Sequence, residues 1–576
     1  MKLQNNKKRP NDGERKPVLD DRRDLVRDLH ALPSSKILNR ILEADQPGEL
    51  VQGLTSEDFF WLIKKVGDDD CLPLLELASI DQWEYLLDLE IWRKDRLDME
   101  STSIWMERIQ QADCRRLVRW LFSEGEYLGF YHFFRSVEVV VVNSEDEGYD
   151  IPEGFFSIDG IFHIRAIDSK YQDTIESIIR VMANEDFNRY QAFLHGLAGV
   201  LPAEVEEEMY RLKNVRLAEH GFLPYEESLK IYAPLNPEDL IREKRPSLPG
   251  IFLDDGGTAM VPVSHLHHAD SKNMLTETIS RSTDPLLLDR LRLEFASLCN
   301  QILSADSIMV HEVDVLIKTC RKAAGFLNLA LEKLCGKDIS SAEEVLKDHP
   351  LESLFRVGFG LALKLKWEAE RWLKGSWFLS QGLDPAFWGE HWGGILSGLK
   401  EKRPRFYMGL EEGEEYREFE WLSELGACMK VLRSLMVLDS LMERLTELYP
   451  SNNVLTKSPE MTFHSLIFNL WGRLLLKMAP SFSGLSLVQA KDLFHLLRAG
   501  RSTRPYEMPG FEEVFIQDFM AYVSNSEPEA VSILKETLAL IWEEFRNEYQ
   551  WISVNDLDGR YSKYITIVTS SEVTLH

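Results

Sequence analysis

Apolar positions recur along most of this chain at the three- and four-residue steps of an amphipathic helix. Leu288, Leu291, Phe295, Leu298 and Ile302 form one such stripe, and Leu316, Cys320, Ala323, Leu327, Ala330 and Leu334 form another. Leu425, Cys428, Leu432, Leu435, Met442, Leu445 and Tyr449 continue the style but skip one turn at Asp439. Asp284-Pro285 opens the first stripe as an N-cap followed by proline at the first helical position. Recurrent Gly and Pro breaks argue against one continuous coiled coil. The stripes therefore predict a helical bundle over residues 283–550.

The N-terminal pattern is shorter and restarts. Leu54-Thr55-Ser56-Glu57-Asp58-Phe59-Phe60-Trp61-Leu62-Ile63 places a hydroxyl and acids before an apolar run, which is a helix start. Ala78-Ser79-Ile80-Asp81-Gln82-Trp83-Glu84-Tyr85-Leu86-Leu87 repeats that grammar about 24 residues later, and Leu121-Phe122-Ser123-Glu124 begins a looser third copy. Short helices restarting at a near-constant period predict stacked hairpins, a superhelical array over 21–136.

The period then changes. Val137-Glu138-Val139-Val140-Val141-Val142 is β-branched, and Asp159-Gly160 sits between two apolar runs as a hairpin turn. Residues 137–232 are expected to hold this small β insert and further helices. Prolines and the Gly256-Gly257 pair mark 233–282 as a linker. Residues 1–20 read as a disordered tail, and 551–576 as an extended C-terminal segment. The predicted fold class is mainly α: a helical-hairpin array with a β insert, then a helical bundle.

Composition narrows the function more than the fold. Of 576 residues, 66 are Lys or Arg and 94 are Asp or Glu, a net charge of −28. Such a surface repels nucleic-acid backbones and anionic lipid, so no nucleic-acid partner is expected. The six cysteines include no CxxC pair, and most lie in apolar helical context, as buried thiols of a reducing compartment do. The basic N-terminus lacks the apolar stretch of a secretory signal. The best membrane candidate, 461–478, carries His464, Asn469, Arg473 and Lys477, too polar to span. A cytoplasmic protein without membrane insertion is the expectation.

No spacing of His, Cys, Asp, Ser or Gly assembles a catalytic motif, and no catalytic residue, metal or cofactor is assigned. His265, His267 and His268 cluster in the linker without the Cys or carboxylate partners of a metal site. Asp68-Asp69-Asp70 and Glu145-Asp146-Glu147 lack calcium-loop spacing. Gly358-Phe359-Gly360 lies in a helical stripe rather than a phosphate loop. The segment with the most binding character runs from Trp367 to Tyr407. Trp377, Trp388 and Trp392, with His391 and nearby glycines, could line a groove, or they could plug a helix junction. Lys402, Arg403 and Arg405 around Pro404, close to Tyr407, could hold an anion, or could pair with Glu411, Glu412, Glu414 and Glu415.

Over Leu50–Trp92 the chain resembles the N-terminal helical superhelix of bacterial magnesium transporters. The transporter's nucleotide-sensing module and membrane helices find no counterpart, so magnesium sensing is not carried over. Over most of its length the chain looks like a bacterial family of unknown function. The matching passages are Glu76-Leu77-Ala78 through Trp92, Leu201-Pro202-Ala203-Glu204-Val205-Glu206-Glu207, Arg216-Leu217-Ala218-Glu219-His220-Gly221-Phe222, Tyr225-Glu226-Glu227-Ser228-Leu229-Lys230-Ile231-Tyr232 and Lys402-Arg403-Pro404. That resemblance implies a mostly helical cytoplasmic protein and supplies no activity. The leading reading is a non-enzymatic interaction or regulatory scaffold whose partner is another protein. The alternative is an enzyme or small-ligand receptor with a pocket near 367–407.

Overall fold

Side-chain caps set where the helices start in the computed structural model, which describes residues 32–142, 153–240, 273–307, 313–409, 413–450, 461–499, 503–523 and 527–568. Thr55 accepts the Asp58 N–H at 3.2 Å and opens the helix Ser56–Val66. Ser79 and Gln82 cap each other reciprocally and open Ile80–Glu90. Each exchange satisfies amides that the first helical turn leaves without acceptors. The protein is 71% helical and divides into two compact units, Met1–Val357 and Gly358–His576.

In the first unit, the caps also join one hairpin to the next. The Gln82 amide donates to the carbonyls of Val51 and Leu54, both at 2.9 Å. The fully buried Trp83 donates its indole N–H to the Leu75 carbonyl at 3.0 Å. Arg116, on the long helix Met99–Leu121, stacks on the Trp83 ring at 4.0 Å and donates to the carbonyls of Leu75 and Glu76. One apolar core runs through this array, from Ile37 to Leu316.

The β element follows from alternation. Phe162, Ile164 and Ala166 face the core of the strand Phe162–Ala166, with half-buried residues between them. That strand lies antiparallel between Val137–Val141 and Phe156–Ser157. Gly160 takes a φ of +74° in the turn, and the Asp159 carboxylate accepts the N–H groups of Ile161 and Phe162. Helices Gln172–Glu185, Phe187–Leu197 and Pro202–Glu219 follow. Of the linker, Pro237–Leu240 and Met274–Arg281 are helical, and 241–272 lies outside the described residues, as does the tail 1–20. Asp284 accepts the N–H groups of Leu286 and Leu287 and opens Pro285–Asp306. That helix, Val313–Cys335 and Ile339–Asp348 complete this unit's packing.

The second unit is built on the helix Leu422–Leu448, which packs along Pro528–Tyr549. The apolar run near Met461 becomes the helix Phe463–Leu475, buried on every side through Gly472. Phe468 stacks between Phe545 and Phe515, at 4.1 and 5.1 Å. The helix owes its apolar character to this burial; among the described residues no helix is long and apolar enough to cross a membrane. The C-terminal segment closes the unit, since Ile567–Val568 pairs in parallel with Leu485–Ser486.

The turn skipped at Asp439 has a structural use. Its buried carboxylate accepts the N–H groups of Trp377 (3.2 Å) and Phe378 (2.8 Å), and the Trp372 indole N–H at 3.3 Å. It caps the short helix Trp377–Ser380 from another helix. Asp439→Ala would strand those three donors in the interior. A loss of about 3 kcal/mol in urea unfolding is expected, with Asp439→Asn intermediate.

Candidate functional site

Two elements of the first unit meet at a single ion pair. Ile80–Glu90 carries Asp88 in its last turn, and the chain leaves it through a tight antiparallel pairing of Trp92–Arg93 with Arg96–Leu97. Lys94 takes a positive φ in that turn. Pro202–Glu219 presents Met209, Tyr210, Lys213, Arg216 and Leu217 at three- and four-residue steps, and so on one face. Arg216 clasps Asp88 with two hydrogen bonds of 2.7 Å. Glu206, one helical turn before Tyr210, accepts the Leu97 N–H at 2.9 Å and the Tyr131 hydroxyl at 3.3 Å, which fixes the turn against the helix.

Asp88 borders two clefts, the first of which Arg216 also lines. One, of about 450 Å³, is walled by Glu84, Leu87, Trp120, Leu128 and Met209. The other, of about 770 Å³, is walled by Trp92, Tyr210, Lys213, Phe222 and Tyr225, with Asn214, Ser304 and Ser307 as its hydrogen-bonding groups. The Lys213 ammonium stands 4.9 Å over the Trp92 ring and 5.9 Å from Tyr210. Burial pushes its pKa down to about 8, with the charge of Asp88 opposing. Both Asp88 oxygens are already engaged by Arg216.

Lys213 is exceptional within this unit. Lys64 is wholly buried but pairs with Glu90 at 2.8 Å and Asp68 at 3.1 Å, and Lys322 pairs with Asp306 at 3.0 Å. Among the described residues no carboxylate stands at ion-pair distance from Lys213. Its aromatic neighbours favour the cation but cannot neutralise it.

Nearby, His220 caps the same wall. Its Nδ1 meets the Glu57 carboxylate, its ring lies 4.6 Å from that of Tyr85, and its carbonyl accepts from Asn300 at 2.7 Å. The hydrogen bond to Glu57 holds the His220 pKa above its usual value, against burial.

The residues singled out by sequence lie in the second unit. Trp377, Trp388 and Trp392 are buried, joined through Phe387 and Phe463; Trp392 stacks on Phe463 at 5.8 Å. Tyr407 is also buried, and a Cβ at Gly394 would meet its ring at 2.5 Å. His391 is exposed, 6.0 Å from the Tyr407 ring. Arg405 donates to the Tyr416 carbonyl, Lys402 is exposed and Arg403 half-buried. The tryptophans thus fill a helix junction, with glycine permitting the close approach. Asp68 and Asp69 pair with Lys64 and Arg108. His265, His267, His268 and Glu145–Glu147 lie outside the described residues. Among those described, no three His, Cys, Asp or Glu side chains are placed to hold a metal.

Trp92, Tyr210, Lys213 and Arg216 were not singled out as site residues by sequence. One signal was available: Tyr85-Leu86-Leu87-Asp88-Leu89-Glu90-Ile91-Trp92 sets two acids into an apolar run, and both are buried. Buried acids require partners elsewhere in the chain.

No curated protein and no solved structure matches this chain. The model of one protein family does, over residues 16–568. The chain belongs to that family of unknown function, DUF6178, as its resemblance implied.

The raised pKa of His220 makes a testable link to stability. Its contribution is complete below the unfolded value near 6.5 and is lost as pH rises through the higher folded value. Wild type should therefore exceed Glu57→Gln in Tm most at about pH 5.5, with the gap narrowing towards pH 9. A gap that is constant or widens with pH would refute the assignment.

Proposed function

We propose that this protein is a cytoplasmic recognition scaffold whose N-terminal array takes a carboxylate on an apolar stem in the Trp92–Lys213 cleft. One observation carries the reading: the half-buried Lys213 ammonium faces an open cleft, with no carboxylate at ion-pair distance among the described residues. A partly desolvated charge without an ion-pair partner is unfavourable, and a ligand carboxylate would relieve it. Trp92, Tyr210 and Tyr225 offer the flat apolar walls that hold a stem, and Asn214, Ser304 and Ser307 offer a few polar contacts for orientation. The exposed Lys94 adds a second positive charge at the same cleft.

The rest of the chain supports recognition over nucleic-acid or lipid binding. Its net charge of −28 repels both polyanions, and a cleft bearing two lysines stands out against it. The free cysteines, four of them buried, suit the reducing cytoplasm. A free small acid and the C-terminal carboxylate of a partner protein share the recognised chemistry. The walls of Trp92, Tyr210, Phe222 and Tyr225 suit a single apolar stem, which favours the free acid.

Calorimetry of the full chain with phenylacetate, and with a Gly-Phe dipeptide carrying a free or an amidated C-terminus, tests this. Binding of phenylacetate is expected, weakened about tenfold or more by Lys213→Ala and also by Trp92→Ala, while Lys402→Ala leaves it unchanged. Binding of the free dipeptide alone would assign the cleft to a protein terminus. No binding by any probe, or binding indifferent to Lys213, would overturn the proposal.

A further inference from the structure

We infer that Lys213 captures the carbonyl carbon of a 2-oxo acid as a reversible imine in this cleft. The inference rests on the carboxylate reading above and adds covalent chemistry to it. Two facts of geometry make the amine available. The fully buried lysines among the described residues are held by acceptors: Lys64 by Glu90 and Asp68, Lys322 by Asp306, and Lys366 by Glu370 and the Lys400 carbonyl. Lys213, half-buried, instead lines a cleft, with the Trp92 and Tyr210 rings beside its Nζ and with both Asp88 oxygens bonded to Arg216.

An amine attacks only with its lone pair free. A pKa of about 8 leaves about a tenth of Lys213 neutral at pH 7, several hundred-fold more than an ordinary lysine. A 2-oxo acid carries its carboxylate on the carbon next to the carbonyl. With the carbonyl carbon at Lys213, the carboxylate remains in the cleft that Lys94 also lines. The side chain of the acid then lies along the aromatic wall.

The step is balanced without a co-reactant. The Nζ lone pair forms the C–N bond as the carbonyl π pair moves to oxygen. That oxygen then leaves as water, carrying both amine protons, and a C=N bond replaces the C=O bond. Nothing is oxidised or reduced, and hydrolysis returns the free lysine. The product is a held ligand, so the protein acts here as a receptor.

Phenylpyruvate and sodium cyanoborohydride, which reduces imines, test the inference on the full-length protein. The expected result is a single adduct whose peptide map places it at Lys213, forming faster as pH rises from 6.5 to 8.5. Trp92→Ala should slow it, and Lys213→Arg, checked for native helicity, should abolish it. The wild-type map locates the adduct even if a variant fails to fold. Labelling spread over surface lysines, or unchanged in Lys213→Arg, overturns the inference. Calorimetry of the same pair separates the two readings. Phenylpyruvate that binds without being trapped overturns the imine and leaves carboxylate recognition standing. Phenylpyruvate that neither binds nor is trapped, with phenylacetate also silent, overturns both.

Discussion

The clasp of Asp88 by Arg216 is the interaction on which the candidate site depends. It joins the end of Ile80–Glu90 to Pro202–Glu219, elements far apart in the chain, and so sets the spacing of the cleft walls. Its second effect is electrostatic. Asp88 is buried, and burial pushes its carboxyl up; two short charge-assisted bonds from a planar guanidinium offset that desolvation better than a lysine could. With both oxygens taken by Arg216, Lys213 is left with a field from Asp88 but no bond to it. The unpaired amine is thus a consequence of how its neighbour is paired.

The same array buries other charges, and the contrast is instructive. Lys64 with Glu90 and Asp68, and Glu57 with His220, are sets whose members answer one another, with Arg108 adding to Asp68. Such pairs add little net stability over an apolar replacement, but breaking one leaves a charge stranded. The Lys64–Glu90 pair links the helix Ser56–Val66 to Ile80–Glu90. Gln82, bonded to the carbonyls of the preceding hairpin, adds a neutral version of the same link.

Local signals were legible because they are local. Thr55, Ser79 and Asp284 cap the helices they precede, and Asp159-Gly160 turns the chain between two paired strands, since each acts within a few residues. The gap at Asp439 was visible as a break in a stripe. Its purpose was not, because the amides it serves lie some sixty residues away. Lys213 left no mark for the same reason. Pro202–Glu219 buries only Met209 and Leu217, so it reads as a solvated helix. What distinguishes Lys213 is the company it keeps across the fold.

The aromatic-rich segment shows the same contrast between local and long-range signals. Trp377, Trp388 and Trp392 are dense in the sequence, and in the second unit they pack against Phe387 and Phe463 as large apolar bodies do. Their packing corresponds to the helix-junction alternative of the sequence reading. Trp92 and Tyr210 are sparser, but they flank a cation that the fold leaves unanswered. An aromatic cluster alone gives no reason to expect an occupant. A desolvated charge without a partner does, because the free energy of its burial is recovered only when something of opposite sign arrives.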